Sequence, residues 1–334
     1  MTPESGKEQD MKRIGILLCI LLFLGTGLSL AKEQRWYKGN THCHTLHSDG
    51  DEFPRRVIRW YRDHEYNFIV ITEHNTITEV KYLDTDDQDD FLLIQGEEVT
   101  DSFKGTPVHL NALDAQELIE PQHGASIVKT LQNNVDAIRR AGAVPQINHP
   151  NWKWSFTHEE MSQLTGVCLF ELYNICYDCN NFGAGGRPGM EEVWDKILSR
   201  GILMYGVASD DAHDYLGEFS QFKSNPGTGW IMVRAGKLTP GAIVAALEKG
   251  DFYATVGVTL RDVRVTKNEY VVEIDPYRDL TYTTYFIGKD GRILQETHGT
   301  RAEYRFKGDE LYVRARVFES SGRFACTQPV FVTK

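Results

Sequence analysis

From residue 36 to about residue 255 the chain alternates short apolar runs with helical patterns, and this alternation limits the fold more than any other feature. The strand-compatible runs are NFIVIT (67–72), FLLIQG (91–96), TPVHLNAL (106–113), AVPQIN (143–148), VCLFELYN (167–174), ILMYGVAS (202–209) and GWIMVRA (229–235), with a short extended segment before His42. Helical patterns occupy 54–65, 125–141, 189–200 and 239–249. Pro54 suits the first turn of a helix, and Val57, Trp60 and Tyr61 share one face of it. Such alternation predicts a parallel α/β sheet or barrel.

The pattern changes after about residue 256. Apolar and polar residues then alternate, broken by turns such as Lys289-Asp290-Gly291 and Lys307-Gly308-Asp309. This predicts a small antiparallel β-domain, a sandwich, over 258–334. At about 150 residues per domain, 334 residues also suggest two domains.

The N-terminus carries its own signal. Lys12 and Arg13 precede an apolar run from Ile14 to Leu30, and Ser29-Leu30-Ala31 fits a small-residue cleavage site. This is the layout of a secretory signal peptide over residues 1–31, with 1–10 as an N-terminal extension before Met11. An uncleaved anchor is the alternative. Cleavage leaves a chain starting near Lys32, periplasmic or secreted, with no stable membrane insertion. The segment removed holds as many basic as acidic groups, so the formal net charge stays at −11. That balance argues against a nucleic-acid polymer as partner and leaves room for a small anionic substrate held by metal ions. Five cysteines remain, an odd number. Cys176 and Cys179 form a lone CxxC, open to reading as a local disulfide or as two thiols. The oligomeric state is left open.

Metal-ligating residue types recur at the strand ends. THCHTLHSDG (41–50) holds three of the eleven histidines. In an extended segment His42 and His44 point to one face, so two imidazoles can share one cation. Later runs contribute Glu73 and His74, Glu97 and Glu98, His109, His149, Glu171, then Asp210, Asp211 and His213. In a parallel barrel those ends share one mouth, where such folds place their chemistry. Glu73 and Glu98 read as solvated or supporting carboxylates. His64, His123, His158 and His298 read as surface histidines, and His47 faces either substrate or solvent.

The ordered set HxH with SDG, ITEHN, GEE, a lone strand histidine, NHP and SDDAH resembles the polymerase and histidinol phosphatase (PHP) family of metal-dependent phosphoesterases over roughly residues 36–257. The resemblance implies a distorted (β/α)7 TIM-like barrel over 32–257, with two or three divalent ions (Zn, Mn or Fe). It implies nine ligands: His42, His44, Asp49, His74, Glu97, His109, His149, Asp211 and His213. Glu97, Asp211 and His213 are the catalytic candidates among them. Glu73 departs from the aspartate usual before the second-motif histidine. The signal peptide and β-domain further resemble an exported branch named after a carbaryl hydrolase.

The residue chemistry agrees with hydrolysis. A mixed histidine and carboxylate set suits Zn, Mn or Fe, and a carboxylate such as Glu97 can bridge two ions. A metal-bridged hydroxide can then attack phosphorus or a carbonyl carbon. Neither GxxxxGK nor GxSxG occurs. The expected function is an exported phosphoesterase acting on a small phosphoester, phosphoric mono- or diester. The alternative is a carboxylic ester, carbamate or amide hydrolase on the same scaffold. Arg187, Lys104 and His47 are the candidate substrate-binding residues.

Overall fold

The computed structural model describes residues 34–83 and 90–332. The expected signal peptide, its extension and the start near Lys32 lie outside the described residues. In chain order the elements are β1 (Arg35–Asn40), α1 (Pro54–Asp63), β2 (Phe68–Ile71), β3 (Leu92–Phe103), β4 (Thr106–Leu113), α2 (Ile127–Arg140), β5 (Val144–Ile147), α3 (His158–Met161), β6 (Leu169–Asn174), α4 (Met190–Ser199), β7 (Tyr205–Ser209), β8 (Trp230–Ala235), α5 (Pro240–Lys249) and β9 (Phe252–Thr255). Then follow β10 (Leu260–Val265), β11 (Glu269–Ile274), β12 (Tyr282–Gly288), β13 (Arg292–His298), β14 (Arg301–Arg305), β15 (Tyr312–Glu319), β16 (Phe324–Thr327) and β17 (Val330–Phe331).

The protein is a mixed α/β fold built on one large sheet. Its strands run in the order β13-β12-β15-β16-β9-β8-β1-β2-β3-β4-β5-β6-β7. The steps β1–β2–β3 and β5–β6–β7 are parallel. Beyond β1 and β7 the chain meets itself: Cys43 and Ala212 form a parallel bridge, and the His44 amide donates to the Ala212 carbonyl at 3.0 Å. The helices end as their sequences dictate. Pro54 and Pro240 occupy first turns, the Ser126 side chain accepts the Lys129 amide, and Gly250 closes α5 at φ +73°.

Two features depart from a regular parallel (β/α)7 barrel. First, β4 is antiparallel to both β3 and β5. Its cause is local. Lys104 (φ +52°) and Gly105 (φ +84°) form a two-residue hairpin turn, both left-handed, pairing Phe103 with Thr106. A two-residue connection cannot lead to a parallel neighbour, which needs a crossover of a dozen residues or more. β3 therefore runs on to Phe103, so Glu97 and Glu98 lie mid-strand, not at a strand end. His109 is likewise mid-strand.

Second, the C-terminal strands are not a separate pair of sheets. β12, β13, β15 and β16 continue the large sheet through β9, and only β10-β11-β14 form their own three-stranded layer. Tyr253, Tyr270, Phe286, Tyr304, Val313 and Val317 form one buried cluster between the two layers. Arg314 on β15 is fully buried against α4, donating to both Asp195 oxygens at 2.8 and 2.7 Å. No helix of the described residues is long and apolar enough to cross a membrane.

Candidate metal centre

The segment beyond β1 brings His42 and His44 to the centre of the ring. The His42 Nδ1–H donates to Glu171 Oε1 at 2.7 Å, which leaves Nε2 free to face inward. That nitrogen lies 3.1 Å from His44 Nε2, 3.1 Å from Asp211 Oδ1 and 3.5 Å from Glu98 Oε2. His44 Nε2 is itself 3.1 Å from Asp211 Oδ1 and 3.5 Å from Glu98 Oε2. Glu171 is anchored by the His149 amide, Ser209 Oγ and Asn174 Nδ2, so the orientation of His42 is fixed from β6 and β7.

Glu98, not Glu97, completes this group. Its Oε2 lies 2.8 Å from His74 Nδ1, and its Oε1 lies 3.2 Å from His109 Nδ1 and 3.3 Å from His149 Nε2. Glu97 is turned to the opposite face of β3, where its Oε2 accepts the Ile119 amide at 2.8 Å. Successive strand residues face opposite ways, so only one of two adjacent glutamates can look into the ring. Glu97, expected as a ligand and bridging residue, is therefore not among the converging side chains, whereas Glu98, read as a supporting carboxylate, is.

The Asp210-Asp211 pair divides in the same manner. Asp211, at φ +45°, faces His42 and His44. Asp210 turns away and accepts the amides of Gly227, Thr228 and Gly229 at 2.9–3.0 Å, tying down the loop before β8. Asp49 spans the outer edge. Its Oδ1 is 3.2 Å from His213 Nε2 and 3.6 Å from His44 Nδ1, and its Oδ2 is 3.4 Å from His74 Nε2. Glu73 stays outside the group. It accepts from the Thr45 amide and hydroxyl, Ser48 Oγ and Thr78 Oγ1, and so holds the 45–48 loop in place.

Eight of the nine expected ligands therefore converge, with Glu98 in the ninth place. His42, His44 and Glu98 form one tight set, His74, Glu98 and His109 a second, and His44, Asp49, His74 and His213 a third. These residues fit divalent cations. Two ring nitrogens point at each other at 3.1 Å, and the buried Glu98 Oε2 is surrounded by imidazole nitrogens, His74 Nδ1 at 2.8 Å and the Nε2 atoms of His42 and His44 at 3.5 Å. Imidazole nitrogens and carboxylate oxygens crowded together out of water are a donor set that a shared cation suits.

The charge balance of the metal-free protein says the same. Burial opposes the imidazolium of His42, yet Asp211, Glu171 and Glu98 hold its pKa well above the ordinary value. Burial likewise opposes charge on His74 and His213, but Glu98 and Asp49 raise the first to about 10, and Asp49 and Asp211 raise the second to about 9. Burial and the neighbouring His213 lower His44 to about 4. Burial would raise Glu98 and Asp211, but the surrounding histidines hold both well below the usual carboxylate range. Without metal, protons bridge donors that a cation would otherwise bridge.

The centre opens into a cavity of about 290 Å³, lined by Asp49, His74, Glu98, His109, His149, Asp211 and His213 on one side and by Trp152, the 176–179 turn and Ser224 on the other. None of the three expected substrate-binding residues is on its wall. Lys104 sits at the tip of the β3–β4 hairpin, over the Phe103 ring at 5.3 Å. The Arg187 guanidinium stacks on Trp154 at 4.8 Å. His47 Nδ1 is bonded to Thr78 Oγ1 at 2.6 Å. Trp152, which sequence reasoning passed over, packs against His109 and His149 with ring centroids 5.5 and 5.2 Å away. Its position three residues after His149 was the available signal.

Neither family models nor curated protein sequences match the chain. Among solved structures, it is similar to a two-domain protein from Bacteroides vulgatus containing a predicted PHP-like metal-dependent phosphoesterase, at 18% identity and a TM-score of 0.49, covering 85% of this chain and 90% of that one. It is also similar to a candidate metal-dependent phosphoesterase from Bifidobacterium adolescentis, at 16% identity and a TM-score of 0.41, over 58% of this chain and 91% of that one. An amidohydrolase from Chromobacterium violaceum is similar at 13% identity and a TM-score of 0.39, over 56% and 93% of the two chains.

Proposed function

We propose that the chain is an exported metal-dependent hydrolase that cleaves a small phosphoester. The observation that carries this reading is the convergence of six histidines on Glu98, Asp211 and Asp49, with His74, His109, His149 and His213 on the wall of one cavity. Divalent cations bound there supply Lewis acidity and a nucleophilic water near neutral pH. The chain's own residues do the rest. Glu171 holds His42 in the tautomer that presents Nε2 inward. The Asp211 carbonyl accepts from His213 Nδ1 at 2.7 Å, which fixes that ring beside the opening with Nε2 free to hold a cation. Trp152 and Tyr177 offer apolar surface to the non-reacting part of a substrate.

One observation favours a second reading, hydrolysis of a carboxylic ester, carbamate or amide. Among the described residues no lysine or arginine lines the cavity, so a polyanionic phosphate would find no guanidinium or ammonium partner there. The apolar run of residues 14–30 supports export to the periplasm or medium. Residues 258–334 act as a packing module and bind no metal.

The test is turnover by the purified protein of a phosphomonoester, a phosphodiester and a carboxylic ester, with and without Mn²⁺ or Zn²⁺. Metal-restored phosphoester cleavage supports the first reading, and metal-restored ester cleavage alone supports the second. No turnover of any substrate by metal-loaded protein would sink both.

A further inference from the structure

The turn Cys176-Tyr177-Asp178-Cys179 joins β6 to the loop before α4, and neither the histidine centre nor the proposed hydrolysis uses its sulfurs. The turn is tight. The Cys179 amide donates to the Cys176 carbonyl at 3.0 Å, and the Cys176 amide donates to Asn174 Oδ1 at 2.9 Å. Asp178 folds back between the two cysteines. Its Oδ1 accepts from the Cys176 thiol at 3.1 Å, and its Oδ2 accepts from Trp152 Nε1 at 3.0 Å. The donor atoms of Cys176, Asp178 and Cys179 all lie within 4.8 Å of one another. Both cysteines are free thiols, and the whole turn lies on the wall of the cavity above the histidine centre.

A lone CxxC lacks the second pair that a zinc ribbon needs. Here the third donor comes from inside the turn, and its carboxylate is already held in place by Trp152. Two sulfurs and one oxygen suit a borderline-to-soft divalent cation such as Zn²⁺ or Cd²⁺, and three protein ligands leave a fourth position for water or a substrate oxygen.

We infer that the 176–179 turn is a thiophilic divalent-cation site, bound through Cys176 Sγ, Cys179 Sγ and an Asp178 oxygen, and distinct from the histidine centre. Binding exchanges two thiol protons for one cation. Each sulfur donates an electron pair, two protons pass to solvent, and nothing is oxidised or reduced. The exchange leaves the net charge of the turn unchanged, but the open fourth position gives a cavity wall that carries no lysine or arginine a Lewis-acidic point for a substrate oxygen. That consequence for substrate rests on the hydrolase reading, whereas the site itself does not.

The experiment titrates Cd²⁺ into the fully reduced full chain and follows the thiolate-to-cadmium charge-transfer absorption. The expected result is a band that saturates on titration and is lost in Cys176→Ser/Cys179→Ser while the histidine-bound metal content is kept. A measurement on the unaltered chain guards against misfolding of that variant. Alkylation of Cys176, located by peptide mass spectrometry, slows on the order of tenfold or more with cation bound, because the thiolate is then occupied. No band in reduced protein together with unchanged alkylation overturns the proposal. So does purification of the native protein with a Cys176–Cys179 disulfide that re-forms in preference to cation binding. Because neither readout uses turnover, a failed hydrolase assay leaves this result untouched.

Discussion

Glu97→Gln and Glu98→Gln differ by one position and by one strand face, and they should differ sharply in effect. Glu98 touches five imidazoles: His74, His109 and His149 within 3.3 Å, and His42 and His44 at 3.5 Å. Removing a residue that only orients a ligand typically lowers metal affinity about 10- to 100-fold. Glu98 is placed as a ligand, so its loss should cost at least the upper figure, about 100-fold or about 2.8 kcal/mol of binding. Glu97 faces away, and burial pushes its pKa up to about 7, so it is already partly neutral at neutral pH. Glutamine keeps an acceptor for the Ile119 amide, and the stability cost should stay within about 1 kcal/mol. The assay is metal titration of both purified variants, with bound metal measured after equilibrium dialysis. Full metal binding by Glu98→Gln with loss in Glu97→Gln would refute the face assignment and restore Glu97 as the ligand.

Glu171→Gln should lower metal affinity about 10- to 100-fold without abolishing it, because His42 loses its charged partner but keeps its place; wild-type affinity by the same titration would contradict this. In the metal-free protein, His74 and His213 have folded pKa values of about 10 and about 9, above the ordinary 6.5. Their stabilisation is therefore full below about pH 6.5 and is lost as pH rises through about 9 to 10. The Tm of metal-free protein should fall over that window, while metal-loaded protein holds its Tm; parallel curves would argue against protons standing in for cations. Arg187→Ala should leave KM unchanged, since that side chain stacks on Trp154 away from the cavity; a tenfold rise in KM would place it back in the site. N-terminal sequencing of protein from the native host should begin near Lys32, and a soluble chain retaining Lys12 would contradict export by cleavage.

Much of the site was legible from residue types. Histidines following apolar runs, with carboxylates beside them, are the residue types a cation site needs, and eight of the nine expected residues meet. What escaped was direction. Reading every run as a parallel strand hid the Lys104-Gly105 turn, although a glycine between two strand-like runs signals a hairpin. Placing that turn pairs Phe103 with Thr106, and counting back pairs Thr100 with His109 and Glu98 with Asn111. Directly paired residues share a face, and Thr100 and Glu98 share one by the two-residue period. Glu98 therefore faces the same side as His109, and Glu97 does not. The same turn removes Lys104 from the substrate site. The course of the C-terminal strands was less accessible. Their alternation signals antiparallel pairing but does not specify which neighbour they join, and the β9–β16 pairing brings together residues about seventy positions apart.

The most direct test of the metal centre is anomalous diffraction from crystals grown with Mn²⁺ or Zn²⁺, recorded at the edge of the metal. The account predicts strong peaks between His42, His44, Glu98 and Asp211 and beside His74 and His213, absent from crystals of Glu98→Gln grown in the same way. Crystals of metal-loaded protein with no anomalous density among these residues would contradict it.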